Sequence, residues 1–159
     1  MQVIRALESL PFRITTTWNK ILYLAGGIRS THDWRSEVEE ALKDTNLTII
    51  NPVHIGFTEK SAIAQHNQIA WEQMAISLSD AILFWFTPET LCPMTLYELG
   101  YAMSRGEQRL FIGTDPCYAR RVDVQVQLKL IQPKIRIHTE LGPLIEEVFT
   151  WIGLPGKSE

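Results

Sequence analysis

The sequence predicts an α/β fold, in which a parallel β-sheet is covered by helices on both faces. From Lys20 onward, short runs rich in β-branched and aromatic residues alternate with longer amphipathic stretches, which is the order of βαβ units. The short runs are almost continuously apolar, as in strands that are buried on both faces. The length of 159 residues, with 45% hydrophobic and 21% charged content, suits one compact domain and excludes a disordered chain or a coiled coil.

Five strands and five helices follow from this alternation. We predict strands at Ile21–Ala25, Leu47–Asn51, Ala81–Phe86, Arg109–Gly113 and Lys134–His138. We predict helices at Trp34–Lys43, Ala64–Ser79, Thr95–Arg105, Ala119–Leu130 and Leu141–Ile152. The first helix has an N-cap candidate in Asp33, whose side chain can accept a hydrogen bond from a free N–H of the first turn.

The beginning of the chain fits this pattern least well. Ile4, Leu7 and Leu10 have the spacing of a short helical stripe, which would dock on the body of the protein or on another subunit. The sequence does not decide between these two. We therefore treat residues 1–19 as an N-terminal extension and residues 20–159 as the domain.

Charge and composition exclude several classes of function. With 15 basic and 18 acidic side chains, the net charge of −3 offers no general attraction to a nucleic acid polymer. The longest apolar runs, such as Ala81–Phe86, are far shorter than the ~20 residues that span a bilayer, and the first residues lack the apolar region of a signal peptide. We expect a cytoplasmic protein with no membrane partner. Cys92, Cys117 and the four scattered histidines lack metal-site spacing, so we expect no metal and no cofactor.

Ligands of open parallel sheets bind beyond the carboxyl ends of the strands. After the first predicted strand, Gly26 and Gly27 allow a ligand to approach the backbone closely, although their spacing matches neither a Walker loop nor a dinucleotide fingerprint. A tight turn that needs glycine is the alternative interpretation. Asn51 ends the second strand, where turn formation before Pro52 would also explain it.

Two acidic residues could serve in catalysis at this edge. Gln68 and Glu72 share one face of a predicted helix, which is either its solvated side or part of a site. Thr95 and Glu98 have the spacing of a capping box, a structural explanation for both. A carboxylate in the first turn of a helix is also favoured in its ionised form, and an ionised carboxylate can attack an anomeric carbon. Cys92 is a poorer nucleophile, because no base is evident near it.

Taken together, these segments resemble the nucleoside 2-deoxyribosyltransferase-like family between residues 21 and 123. Three features carry the resemblance: the run Tyr-Leu-Ala-Gly-Gly at 23–27, an acid on the helix before the third strand, and the run Tyr-Glu-Leu-Gly-Tyr-Ala at 97–102. The resemblance implies a flavodoxin-like three-layer sandwich with a central five-stranded parallel sheet. It also implies homodimers or larger homo-oligomers with shared active sites.

The match assigns roles residue by residue. Glu98 takes the place of the nucleophilic glutamate, and Tyr23 that of the tyrosine whose hydroxyl holds it. Glu72, eight residues before Asp80, takes the place of the carboxylate that exchanges a proton with the nucleobase. The resemblance and the segment positions together give these candidate substrate-binding residues: Gly26, Gly27, Arg29, Ser30, Asn51, Gln68, Thr95 and Asp123. Asp123 aligns with an amide residue that a neighbouring subunit contributes.

The implied activity is cleavage and transfer of the N-glycosidic bond of 2′-deoxynucleosides through a covalent 2-deoxyribosyl-enzyme. Two alternatives stay open. The turn at 27–30 also looks like the phosphate-binding turn of a related branch, which hydrolyses 2′-deoxynucleoside 5′-monophosphates. The second alternative is a nucleotide-sensing module without catalysis. It is suggested by Cys92, which occupies the position where the transferases usually carry an aspartate that binds a sugar hydroxyl. The partner in every case is a small nucleoside or nucleotide.

Overall fold

The computed structural model of the protein, which describes residues 1–11, 19–28, 31–53 and 61–154, is an α/β sandwich around one parallel sheet. The strands are β1 (Gln2–Arg5), β2 (Ile21–Gly26), β3 (Thr48–Asn51), β4 (Ala81–Phe86), β5 (Arg109–Thr114) and β6 (Ile137–His138). The helices are α1 (Trp34–Leu42), α2 (Ala62–Leu78), α3 (Pro93–Arg105), α4 (Arg121–Ile131) and α5 (Leu141–Ile152). The predicted fold class is confirmed, with one strand more than the five expected. No helix within the described ranges is long and apolar enough to cross a membrane.

The strands lie in the order β1-β3-β2-β4-β5-β6, and every neighbouring pair is parallel. Without β1, this is the strand order of a flavodoxin-like sheet, as the sequence predicted. The order reverses between β2 and β4. Helices leave these two strands toward opposite faces, so a crevice opens at their carboxyl ends, and this is where ligands bind in such sheets.

The additional strand comes from the N-terminal residues that fitted the pattern least well. Residues Gln2–Arg5 pair in parallel with β3, from Gln2 opposite Thr48 to Arg5 opposite Asn51. Ile4 is 3% exposed and packs into the core. The expectation of a helical stripe that includes Ile4 is therefore wrong, because the open edge of β3 provides these four residues with a ladder of backbone hydrogen bonds.

Two apolar cores hold the three layers together. One core lies between the sheet and α2, α3 and α4, and the other lies between the sheet and α1 and α5. All six residues of β4 are buried, and they alternate between the two cores. This is why the central strands read as continuous apolar runs in the sequence.

Candidate active site

The candidate active site lies at the carboxyl ends of β2 and β4, where the loops that follow the two strands pack against each other. A Cβ atom on Gly27 would lie 2.2 Å from the Thr87 hydroxyl oxygen. A Cβ atom on Gly26 would lie 2.4 Å from the carbonyl oxygen of Trp85. Gly26 is thus required by the close approach of β4, and Gly27 by the close approach of the loop after β4.

A buried arginine, which the sequence analysis did not identify, supports the loop after β2. The Arg35 guanidinium donates hydrogen bonds to the carbonyl oxygens of Gly27, at 2.8 Å, and Gly26, at 2.9 Å. Arg35 is only 4% exposed. The signal was present in the sequence, because Arg35 shares the apolar face of α1 with Val38 and Leu42 at i, i+3 and i+7. A charged residue in such a stripe indicates a buried charge with a partner.

Glu98 lies on α3, but one turn further from the helix start than predicted. The helix begins at Pro93, a favourable first residue, after Cys92, which has φ 47° and makes no side-chain capping bond. Thr95 is therefore buried in the first turn and Glu98 lies in the second, so the predicted capping box does not form. The Glu98 side chain is nevertheless buried, with the residue only 7% exposed, and it is coupled electrostatically to Glu72 and Arg35.

The electrostatic environment of Glu98 differs from the expectation. Burial, followed by the negative charge of Glu72, raises the pKa of Glu98 to about 7, against the opposing effect of Arg35. The sequence predicts that the helix N-terminus lowers this pKa. That expectation is wrong, because desolvation and a second carboxylate outweigh a helix dipole that acts mainly within the first turn.

Glu72 faces the same site from α2. Gln68 donates a hydrogen bond from Nε2 to Glu72 Oε1 at 2.7 Å, and Nε2 also lies 3.2 Å from the carbonyl oxygen of Pro52. Burial raises the pKa of Glu72, while Gln68 and Arg35 act in the opposite direction. Burial thus favours the protonated form of Glu72.

Tyr23 completes this group from β2. It is 1% exposed, and burial raises the pKa of its hydroxyl, with Glu98 and Glu72 adding to the effect. In the described part of the chain, no hydrogen bond joins the Tyr23 hydroxyl to the Glu98 carboxylate. Three elements, β2, α2 and α3, therefore bring Tyr23, Glu72 and Glu98 into one electrostatically coupled group, with Arg35 from α1 as its cation.

Asn51, a predicted substrate-binding residue, uses its side chain for hydrogen bonds within the protein. The Asn51 amide donates to Glu39 Oε1 at 2.7 Å, and its oxygen accepts from the Val53 N–H at 3.0 Å. Glu39 is in turn held by both Nη atoms of Arg5, at 2.6 and 2.7 Å. The Asn51 side chain therefore joins β1, α1 and β3 to one another.

Asp123 is exposed in the first turn of α4. It forms an ion pair with Arg120 at 3.6 Å and lines a shallow groove of about 310 Å³ between α3 and α4. Arg29 and Ser30 lie outside the described residues. The geometry thus brings together the predicted acids, Tyr23 and Gln68, but not Asp123.

Cys92, the alternative nucleophile, is poorly suited to attack a sugar carbon. Cys92 is 4% exposed, and burial raises the pKa of its thiol, which keeps it protonated at neutral pH. Among the described residues, no group of three or more His, Cys, Asp or Glu side chains is arranged to hold a metal ion.

Comparison with known proteins agrees with this assignment of fold and family. The sequence profile of a family described as nucleoside 2-deoxyribosyltransferase like matches residues 19–116. A crystal structure of a conserved protein from Enterococcus faecalis superposes with a TM-score of 0.59 at 17% identity, over 84% of this chain and 99% of that one. At this identity the likeness shows the fold alone. No curated protein matches the sequence significantly.

Proposed function

Because the chain belongs to the nucleoside 2-deoxyribosyltransferase-like family, we propose that it cleaves and transfers the N-glycosidic bond of 2′-deoxynucleosides. The observation that carries the proposal is the electrostatic coupling of the buried Glu98 with the half-buried Glu72, two acids from different helices at the switch point of the sheet. A pair of acids with different protonation states is what glycosidic chemistry needs. A small nucleoside is the substrate class that the family implies.

The reaction takes place in two steps. The ionised Glu98 carboxylate attacks C1′ of the sugar as the bond from C1′ to the base nitrogen breaks, and the bonding electrons leave with the base. Glu72 donates its proton to the departing base, which leaves an ester between Glu98 and the sugar. A second base or water then attacks C1′, the ester bond breaks, and Glu72 takes the proton from the attacking group.

The coupling of the two acids supports a proton shared between them; because the larger rise in pKa lies on Glu98, the form that reacts is the one in which this proton has moved to Glu72. The negative charge of Glu72 disfavours ionisation of Glu98, so the pair retains a proton up to about pH 7. Such a singly protonated pair has one nucleophile and one proton donor at the same time. Arg35 offsets part of the remaining negative charge from behind the loop that follows β2.

We further propose a homodimer or larger homo-oligomer in which Asp123 acts in the site of a neighbouring subunit. Support comes from apolar side chains exposed on α3, α4 and the loop before α3, at 51 to 78% of their surface: Leu91, Met94, Tyr97, Val122, Val126, Leu130 and Ile131. Burial of such a patch against a second copy would be favourable. It would also explain why Asp123 lies on this surface rather than beside Glu98.

The experiment that tests the activity is base exchange. The protein is incubated with deoxyadenosine or deoxyuridine and a second free base, and the products are separated by chromatography. A new nucleoside indicates transfer, and free deoxyribose indicates hydrolysis. Glu98→Gln should lower the rate by at least roughly a thousandfold, and Glu72→Gln by roughly 10²–10⁴-fold.

The matched control is Glu107→Gln. It removes an exposed acid in the loop before β5, which lies at the amino end of that strand, away from the candidate site. It should retain the wild-type rate. Tight nucleotide binding without release of any base would contradict the proposed reaction and support the sensing alternative.

A further inference from the structure

The side-chain amide of Gln68 is held between the segment after β3 and one oxygen of Glu72. The two residues lie one turn apart on α2, at i and i+4, so their side chains share a face of the helix. Gln68 Nε2 donates to Glu72 Oε1 at 2.7 Å and to the Pro52 carbonyl oxygen at 3.2 Å. An amide nitrogen carries two hydrogens, so it makes both hydrogen bonds at once.

These two neighbours leave the Gln68 amide one orientation. Both are acceptors, so turning the amide over would place its oxygen against two other oxygens. In the orientation observed, Gln68 Oε1 is buried and has no hydrogen-bond partner within the described part of the chain. The amide keeps this orientation although its own oxygen stays unpaired, which indicates that the contacts of Nε2 determine it.

The hydrogen bond from Gln68 selects the oxygen of Glu72 that carries a proton. Oε1 accepts the amide hydrogen, and a hydrogen of its own on that side would clash with it. When Glu72 is protonated, its hydrogen is therefore on Oε2. Among the described residues Glu72 makes no other hydrogen bond, so the proton on Oε2 is available to a substrate.

We propose that Gln68 is a positioning residue, which fixes the Glu72 carboxyl group so that Oε2 delivers the proton to the departing base. The inference rests on the proposed function, and it gives Gln68 a role through Glu72 in place of the substrate contact that the sequence predicts. In this step the O–H bond at Oε2 breaks and its electrons stay on the carboxylate, while the proton bonds to a lone pair of the base. The Gln68 amide then stabilises the negative charge left on Glu72.

Gln68→Met tests this role, because methionine has a similar size and helix propensity but no hydrogen to donate. The measurement is the rate of base release in the first turnover as a function of nucleoside concentration. The variant should lower the rate at saturation by roughly tenfold or more and leave the half-saturating concentration within about twofold of wild type. Gln68→Ala, which shortens the side chain, should give the same pattern. Gln65→Met, the same substitution at an exposed glutamine of α2, should behave as wild type.

A second measurement separates proton donation from a general effect on the fold. Fluorine is close to hydrogen in size but withdraws electrons, so a fluorinated base departs with less help from a proton. The matched pairs are deoxyuridine with 5-fluoro-deoxyuridine, and deoxyadenosine with 2-fluoro-deoxyadenosine. In Gln68→Met the loss of rate should be smaller for the fluorinated member, by roughly threefold or more. A change in the ionisation of Glu98 affects both members alike, so this comparison reports on Glu72.

Glu72→Gln is the reference variant, since it removes the proton donor itself and should also lose less rate on the fluorinated member of a pair. The inference is overturned if Gln68→Met retains the wild-type rate, if its loss lies mainly in the half-saturating concentration, or if parent and fluorinated nucleosides lose rate equally. The proposed reaction stands in those cases as long as Glu72→Gln shows the expected difference. Equal losses in Glu72→Gln, or release of base from no nucleoside by wild type, contradict the proposed reaction, and the inference falls with it.

Discussion

Burial of Glu98 raises the pKa of its carboxylate from the usual 4.5 to about 7. Between these two pH values the folded protein binds a proton at this residue that the unfolded chain has already released. The free energy of unfolding therefore falls as the pH rises from about 4.5 to about 7, and this contribution is constant above that window. Glu98 is thus a residue whose ionised form destabilises the fold, which is a common property of catalytic groups.

A residue-scale prediction follows for Glu98→Gln, which replaces the carboxylate by a neutral group of the same shape. At pH 8 the variant should be more stable than wild type by on the order of 3 kcal/mol, the equivalent of the raised pKa. The difference should shrink toward zero below about pH 4.5. Urea unfolding across this pH range measures it, with exposed Glu107→Gln as the control. Equal stability of Glu98→Gln and wild type at every pH would contradict the described environment of Glu98.

Single residues also show what the sequence could and could not predict about the site. The match to family motifs selected Tyr23, Glu72 and Glu98, and the fold places these three side chains in one group. The upward shift of the Glu98 pKa and the buried position of Arg35 were not predicted. Both depend on how much water the packed helices exclude, which is a tertiary property that local patterns do not specify.

Among the elements, the long buried strands and amphipathic helices were predictable because periodicity alone identifies them. The four residues of β1 were not, because they form a strand only by pairing with β3, more than forty positions away. The start of α3 was misplaced for a related reason. The Thr95–Glu98 spacing is typical of a cap, whereas Pro93 starts the helix two residues earlier.

The junction of β2 with α1 provides an element-scale prediction. A Cβ atom at position 26 would lie 2.4 Å from the Trp85 carbonyl oxygen and 2.6 Å from the Trp34 ring, and neither backbone nor core ring can move away easily. Gly26→Ala should therefore destabilise the protein by about 1–3 kcal/mol. Gly142→Ala, in α5 with no heavy atom within 4 Å of the added Cβ, should cause no loss. Urea unfolding compares the two variants, and similar stabilities would contradict the close contact at Gly26.

For the molecule as a whole, the parallel sheet brings acids that are distant in sequence to one crevice. Its order reverses at β2 and β4, so Tyr23, Glu72 and Glu98 meet there although 75 positions separate the first from the last. The strand order was predictable through the family resemblance, while the extra edge strand was not. Asp123 lies on a different surface, which is why the proposed function includes a second subunit.

Subunit complementation tests this whole-molecule prediction. Heterodimers that combine one Glu98→Ala chain with one Asp123→Ala chain are isolated by two different affinity tags. If Asp123 acts in the neighbouring site, each heterodimer has one intact site, and it should recover about half the wild-type activity although both parent dimers are nearly inactive. Activity no greater than that of the parents would contradict shared sites, as would a monomer of 18.2 kDa in sedimentation experiments with full activity.

The most direct test of the central claim, that Glu98 is the nucleophile, is to identify the residue that carries the sugar. The protein is mixed with a 2′-deoxynucleoside without an acceptor base, quenched in acid within the first turnover, digested and examined by mass spectrometry. We predict one 2-deoxyribosyl group, esterified to Glu98, in wild type and none in Glu98→Gln. Base release with the sugar on another residue, or with Glu98 unmodified throughout the first turnover, would contradict the account.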